Sequence, residues 1–176
     1  IFNSTNSSLP STFELNGTDY LTVDNLVIEA TGATYALACH LWNQANNNTF
    51  TNCTFTVPAG TTLATHVPFS ITGSQTSAIV NGDGGNSNTV SNSTLNNGAN
   101  GYNLYGSTTV GLTTGNKVLN CLIKDFNVNG IISCNSTNSE FTGNTIERPT
   151  RGGAASLPKG VIVAAGTQSA TVSYNK

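Results

Sequence analysis

The chain has 176 residues, of which only 6 are Lys or Arg and 8 are Asp or Glu, giving a net charge of −2. Charge this sparse argues against an extended basic surface for nucleic acid and against a polybasic contact with a membrane. No apolar run reaches the roughly 18 residues of a membrane-spanning helix. We therefore predict neither a nucleic-acid partner nor membrane insertion.

Asn, Thr and Gly dominate the composition, which at first resembles that of a disordered polar segment. The apolar residues nevertheless fall in short clusters rich in β-branched side chains, such as 26–28 and 160–163. Clusters of this length predict short buried strands. We expect a single all-β domain over residues 1–176, with an irregular segment at 1–12 and a long loop insertion at about 58–87.

A short motif recurs along the chain in the order apolar, polar, Asn, small or apolar, polar, apolar. The complete copies are VDNLVI at 23–28, FTNCTF at 50–55, VSNSTL at 90–95, VLNCLI at 118–123 and FTGNTI at 141–146. A frayed further copy begins at Thr171. The spacers between copies vary in length, which is typical of a solenoid whose insertions lie in loops.

The third motif position predicts a sharp bend between two short strands. Asn tolerates positive φ better than other residues with a Cβ, and Gly adopts it without steric cost. The exchange of Asn for Gly in one copy therefore indicates a backbone requirement. Side chains stacked in this column could also hydrogen-bond to one another. The predicted column of bends is Asn25, Asn52, Asn92, Asn120 and Gly143.

A third strand in each coil is predicted from apolar clusters between the motif copies. These clusters lie at 35–37, 69–71, 102–104, 130–132 and 160–162. With this third strand, the chain resembles the right-handed parallel β-helix of the pectin-lyase-like superfamily over roughly residues 13–175. The resemblance implies a solenoid of about six coils, uncapped at one or both ends, with neighbouring coils about 4.8 Å apart.

The stretches 13–20 and 47–55 also resemble β-helical regions of large secreted bacterial surface proteins, which are common in bacteria that use type IX export. This resemblance implies a secreted or cell-surface location. Uncovered strand edges at the solenoid ends favour a longer parent chain or end-to-end assembly. The expected partners are polysaccharide or neighbouring copies of the chain.

Enzymes of the pectin-lyase-like superfamily hold clustered carboxylates on the outer face of neighbouring coils, as their chemistry requires. Here the second motif column contains one acid, Asp24, and the fifth contains none. We therefore predict no catalytic residue, no metal and no cofactor, and we favour a non-enzymatic structural or adhesive module. That module would bind carbohydrate or form filaments. The alternatives are a fragment of a polysaccharide lyase or glycoside hydrolase, and a phage tailspike segment.

Three residues are candidate ligand contacts. His40 and Trp42 lie where a coil is expected to become a loop, and an exposed Trp beside a His can stack on a sugar ring. Trp42 could equally cover the end of the core. His66 lies in the longest spacer, which we expect to form the largest protruding loop, and loops are where binding residues concentrate.

Oppositely charged residues align directly after the motif, with Lys124 beside Glu147 and Asp125 beside Arg148. Pairs of this kind on adjacent coils help to fix the register.

The four cysteines, Cys39, Cys53, Cys121 and Cys134, lack zinc-site spacing. Their same-column separations are too long for disulfides, so small buried side chains are the favoured reading. Asn3, Asn6 and Asn135 are candidate glycosylation sites.

Overall fold

The computed structural model describes residues 2–4, 9–109, 113–151 and 157–176. Within these ranges the chain forms an all-parallel β-solenoid of about five turns without any helix. The predicted solenoid is therefore confirmed, and its turns roughly match the expected coil count. Among the described residues, no helix has the length and apolar character needed to cross a bilayer.

Three six-stranded parallel sheets form the walls of the solenoid. The first sheet contains β3 (Thr22–Asp24), β6 (Thr49–Thr51), β9 (Thr89–Ser91), β13 (Lys117–Leu119), β17 (Glu140–Thr142) and β20 (Thr171–Ser173). The second contains β1 (Phe2–Ser4), β4 (Val27–Ala30), β7 (Thr54–Thr56), β10 (Thr94–Asn96), β14 (Leu122–Lys124) and β18 (Thr145–Glu147). The third contains β2 (Ser11–Asn16), β5 (Ala36–Trp42), β8 (His66–Ile71), β11 (Asn100–Tyr105), β15 (Asn129–Cys134) and β19 (Lys159–Val163). A smaller pair is formed by β12 (Thr113–Thr114) and β16 (Ser136–Thr137).

The motif copies supply the strands of the first two sheets, and the bend between the sheets lies at the third motif position. Every residue of the predicted column has the left-handed backbone that such a bend requires. At Gly143 a Cβ would also come into close contact with the Asn120 side chain, which would have to move. The φ values are 56° for Asn25, 55° for Asn52, 50° for Asn92, 54° for Asn120 and 74° for Gly143.

Aromatic side chains run through the interior as a connected series. Phe69 lies near its centre, 5.0 Å from Phe50 and 5.3 Å from Phe55 in edge-on contacts. Tyr102 stacks on Phe69 at 5.7 Å and meets Phe141 edge-on at 6.2 Å. These geometries are the ones that aromatic rings prefer. All five rings are fully buried, so one continuous core links the coils.

A column of hydrogen-bonded Asn side chains lies two residues before the motif rather than at the bend. The Oδ1 atoms of Asn48, Asn88 and Asn116 accept backbone N–H groups of the preceding coil, from Leu21, Asn48 and Asn88, at 2.9–3.0 Å. All three amides are buried. At the bend, by contrast, the Asn52 amide donates to Asp24 rather than to another Asn. The buried amides thus satisfy backbone groups where the sheet ladder is interrupted.

The structure differs from the sequence expectations in the bounds of several elements. The strand expected at 69–71 is confirmed as part of β8, but this fully buried strand begins at His66, so the loop expected at about 58–87 is not one continuous insertion. The expected irregular segment at 1–12 contains β1, which pairs with β4. The third strand of the second coil was also expected at 35–37, but the residues in register with 69–71 are 39–41. Variable spacers explain these errors, because spacing alone does not fix the register between coils.

Candidate functional site

One segment, residues 72–84, folds back over the outer face of the third sheet. Ala78 packs against Leu37 and Val67 in a small apolar cluster outside the main core. The Ala78 carbonyl also accepts a hydrogen bond of 2.8 Å from the Asn103 amide. The central strands of the sheet are consequently buried on both faces. We call this segment the covering segment, and it closes the middle of this face to solvent.

His40 is a structural residue beneath the covering segment. Its Nε2 donates to the Ser74 carbonyl at 2.6 Å, so in the neutral ring Nδ1 accepts from the Ser70 hydroxyl, also at 2.6 Å. Burial is the main cause that lowers the pKa of His40 and favours this neutral form. Both ring nitrogens are therefore occupied. His40 lies inside β5 rather than at the expected transition to a loop.

His66 has a comparable structural role. It is buried in β8, not in a protruding loop as the sequence suggested. Its Nε2 donates to the Gly32 carbonyl at 3.0 Å, and its Nδ1 lies 3.2 Å from the Thr65 hydroxyl. Burial, which is the largest cause, lowers the pKa of His66. The structure therefore separates His66 from any accessible ligand surface.

Trp42 is the candidate contact that remains partly exposed, at the edge of the covered face. It is the last residue of β5 and lies beside Asn16 of β2 in the parallel register. Its indole N–H donates to a carboxylate oxygen of Glu14 at 2.7 Å. The Gln75 amide of the covering segment donates to the same oxygen at 3.1 Å. Glu14 thus fixes the indole ring from one side.

Two amides complete this surface. The Asn43 amide donates to the Asn16 side-chain oxygen at 2.8 Å, directly beside the Trp42 position. We define the Trp42 patch as Trp42, Glu14, Asn16, Asn43 and Gln75. It combines an apolar ring, a carboxylate and three carboxamides from β2, β5, the turn after β5 and the covering segment. Such a surface can stack on the apolar face of a ligand and hydrogen-bond to hydroxyl groups around it.

The sequence singled out Trp42 but missed the other members of the patch. Glu14 and Asn16 would follow from the register of β2 on β5, which alternation alone does not provide. Gln75 comes from the covering segment, 61 residues from Glu14 in the chain, and no sequence pattern places the two residues together. The patch is therefore a product of the coil register and of the covering segment.

Burial raises the pKa of all four cysteine thiols. All four are free, and Cys39, Cys53 and Cys121 are buried. Burial is the main cause that raises the pKa of the Cys121 thiol to about 11, which favours the unreactive protonated form. Within the part of the chain that the structure describes, no group of His, Cys, Asp or Glu has the arrangement of a metal site.

Among the candidate glycosylation sites, Asn135 directly follows β15. It has a φ of 49°, and its amide donates to the side chain of Asn81 in an exposed contact of 3.1 Å. Asn3 lies in β1, and Asn6 lies outside the described residues.

Comparisons of the chain with protein-family models, with curated proteins and with solved structures found no match.

Proposed function

We propose that this chain is a non-enzymatic, extracellular structural module that presents the Trp42 patch to carbohydrate. The observation that carries the proposal is the partly exposed indole of Trp42, held at 2.7 Å by Glu14 on a rigid sheet. A ring fixed in this way loses little conformational freedom when a sugar stacks on it. The surrounding amides supply the donors and acceptors that hydroxyl groups need.

The rest of the fold supports a scaffold that holds this patch in place. Parallel pairing along three sheets satisfies the backbone, and the aromatic core continues through successive coils. Because each coil is fixed by its neighbours, a surface on one coil keeps its position without a large domain around it. The buried His40 and His66 serve this scaffold rather than the ligand.

The likeness to right-handed β-helices of the pectin-lyase-like superfamily, and to β-helical regions of secreted bacterial surface proteins, supports the same proposal. Those proteins work outside the cell, and we place this chain there as well. Their enzymes need neighbouring carboxylates. In the Trp42 patch Glu14 is the one carboxylate, and it is already bonded to Trp42 and Gln75. Binding without cleavage therefore fits this surface better than hydrolysis or elimination.

Affinity electrophoresis against a panel of neutral and acidic polysaccharides tests the proposal. We expect the wild type to be retarded by at least one polysaccharide, and Trp42→Ala to weaken that binding by about tenfold or more. Glu14→Gln keeps the shape of the side chain but weakens its hold on the indole, so we expect a smaller loss. Tyr174→Ala is the matched control, because Tyr174 is an exposed aromatic residue at the other end of the solenoid.

Two outcomes would overturn the proposal. Equal retardation of wild type and Trp42→Ala would show that binding does not use the patch. Release of new reducing ends or of unsaturated products from any polysaccharide in the panel would favour the enzyme alternative. A variant whose thermal unfolding differs from that of the wild type is replaced by Trp42→Phe, which keeps a ring but loses the N–H donor.

A further inference from the structure

The two arginines of the chain, Arg148 and Arg151, lie in one tight turn. The Arg151 amide donates to the Arg148 carbonyl at 3.4 Å, which closes a β-turn with Pro149 at its second position. Pro is favoured at that position because its fixed φ matches the turn. The Asp125 carboxylate accepts the Thr150 N–H at 2.9 Å and anchors the turn to the previous coil. The backbone therefore holds two like charges close together.

The Arg148 side chain is fixed by contacts that use only part of its donor set. Its Nε donates to the Phe126 carbonyl at 2.7 Å, and its guanidinium lies 5.9 Å from the centre of the Phe126 ring. The hydrogen bond and the cation–π contact together orient the guanidinium plane. The sequence expectation of an Arg148–Asp125 ion pair is not realised, because Asp125 instead binds the turn backbone.

Three guanidinium nitrogens of this pair are buried and have no hydrogen-bond partner among the residues that the structure describes. They are Nη2 of Arg148 and both Nη atoms of Arg151. Leaving a buried charged donor unpaired is unfavourable, and arginine does not escape by losing its proton. Burial, followed by the nearby charge of Arg148, lowers the pKa of Arg151, while Asp125 acts in the opposite direction. One carboxylate thus faces two positive charges.

We propose that Arg148 and Arg151 form a binding site for an oxyanion, namely a carboxylate, sulfate or phosphate group. An oxyanion supplies the negative charge and the several acceptor oxygens that the unpaired donors lack, and planar guanidinium groups match such oxygens in pairs. Both arginines as whole residues are partly exposed, although the three unpaired nitrogens themselves are buried. The site is independent of the Trp42 patch, since no residue is shared between them.

Inorganic sulfate is the first probe, with chloride lowered in step so that the ionic strength stays constant. Because the chain has two arginines, its NMR spectrum contains two arginine Nε–H signals. We expect at least one of them to shift saturably with sulfate concentration, and the melting temperature to rise by roughly 3 °C well above the dissociation constant. Signals that stay fixed, or that drift equally with chloride, would overturn the proposal.

Variants locate the effect. Arg151→Gln should abolish the sulfate-dependent rise in melting temperature, whereas Lys159→Gln, which removes the same charge from the third sheet, should retain it. Equal loss in both variants would mean non-specific charge screening and would contradict the site. If Arg151→Gln does not fold, the wild-type NMR titration decides alone. The same NMR titration with inorganic phosphate and with a uronic-acid oligosaccharide distinguishes a site for a free anion from a site for an acidic group on a sugar.

Discussion

The central coils and the last coil contain the same motif but bury it very differently. At the first motif position, Val118 in the centre is 0% exposed, whereas Val172 in the last coil is 46% exposed. In the third sheet, Leu104 is 0% exposed, and Val163, two coils further along the same column, is 46% exposed. Burial in this fold therefore depends on having a coil on both sides, and an apolar residue at a core position does not secure it.

A similar contrast applies to two amides with the same type of contact in different columns. Asn88, two residues before a central motif copy, is almost completely buried, while Asn175, at the fourth motif position of the last coil, is only partly buried. Both accept a backbone N–H of the preceding coil, Asn88 from Asn48 and Asn175 from Asn144. In the last coil water can replace a lost amide, and in the centre it cannot. The comparison thus predicts different costs for chemically identical substitutions.

The largest expected effect is that of Asn88→Ala. This substitution leaves the Asn48 N–H and the Ala45 carbonyl without their partner, and we expect it to destabilise the fold by about 3 kcal/mol. Asn175→Ala, its matched control, should lower stability by about 1 kcal/mol because water reaches the site. Urea denaturation gives both values. Equal losses would mean that the two amides have similar surroundings in solution.

A smaller difference is expected from paired valine substitutions in one column. Val118→Ala removes two methyl groups from a fully packed position and should lower stability by about 2 kcal/mol. Val172→Ala removes the same groups from a half-exposed position and should lower it by less than about 1 kcal/mol. Urea denaturation of both variants checks this difference. A Val172→Ala loss as large as that of Val118→Ala would show that the last coil is covered in solution.

The smallest effect is expected from Tyr102→Phe. The Tyr102 hydroxyl is fully buried and has no hydrogen-bond partner within the described part of the chain, although its ring stacks on Phe69. Removing an unpaired polar group while keeping the ring should lower the free energy of unfolding by less than about 1 kcal/mol or increase it. Thermal unfolding of the two proteins measures the change. A loss above about 2 kcal/mol would reveal a partner for this hydroxyl, and with it a polar site inside the core.

The sequence predicted the parts of the fold that repeat locally. Motif alternation identified the inward residues of the first two sheets, such as Phe50 and Phe55, and the bends at the third position. The Asn column two residues before the motif also left a signal, since Asn48, Asn88 and Asn116 share that spacing. That position lies outside the six-residue motif.

The candidate sites were harder to predict because they depend on contacts between distant residues. Trp42 was identified by its residue type, but Glu14 and Gln75 reach it only through the coil register and the covering segment. The alignment of Asp125 with Arg148 suggested an ion pair, yet the turn at Pro149 directed both side chains elsewhere. The geometry of such turns and loops cannot be predicted from the periodicity of the apolar residues.

The covering segment runs along the solenoid rather than around it. Gln75 contacts Glu14 of β2, Ser74 contacts His40 of β5, and Asn81 contacts Asn135 beyond β15. A stack of coils that touch only their neighbours can fray one coil at a time. A tether joining coils that are not adjacent forces them to open together, so this protein should unfold more cooperatively than its repeat architecture alone would allow.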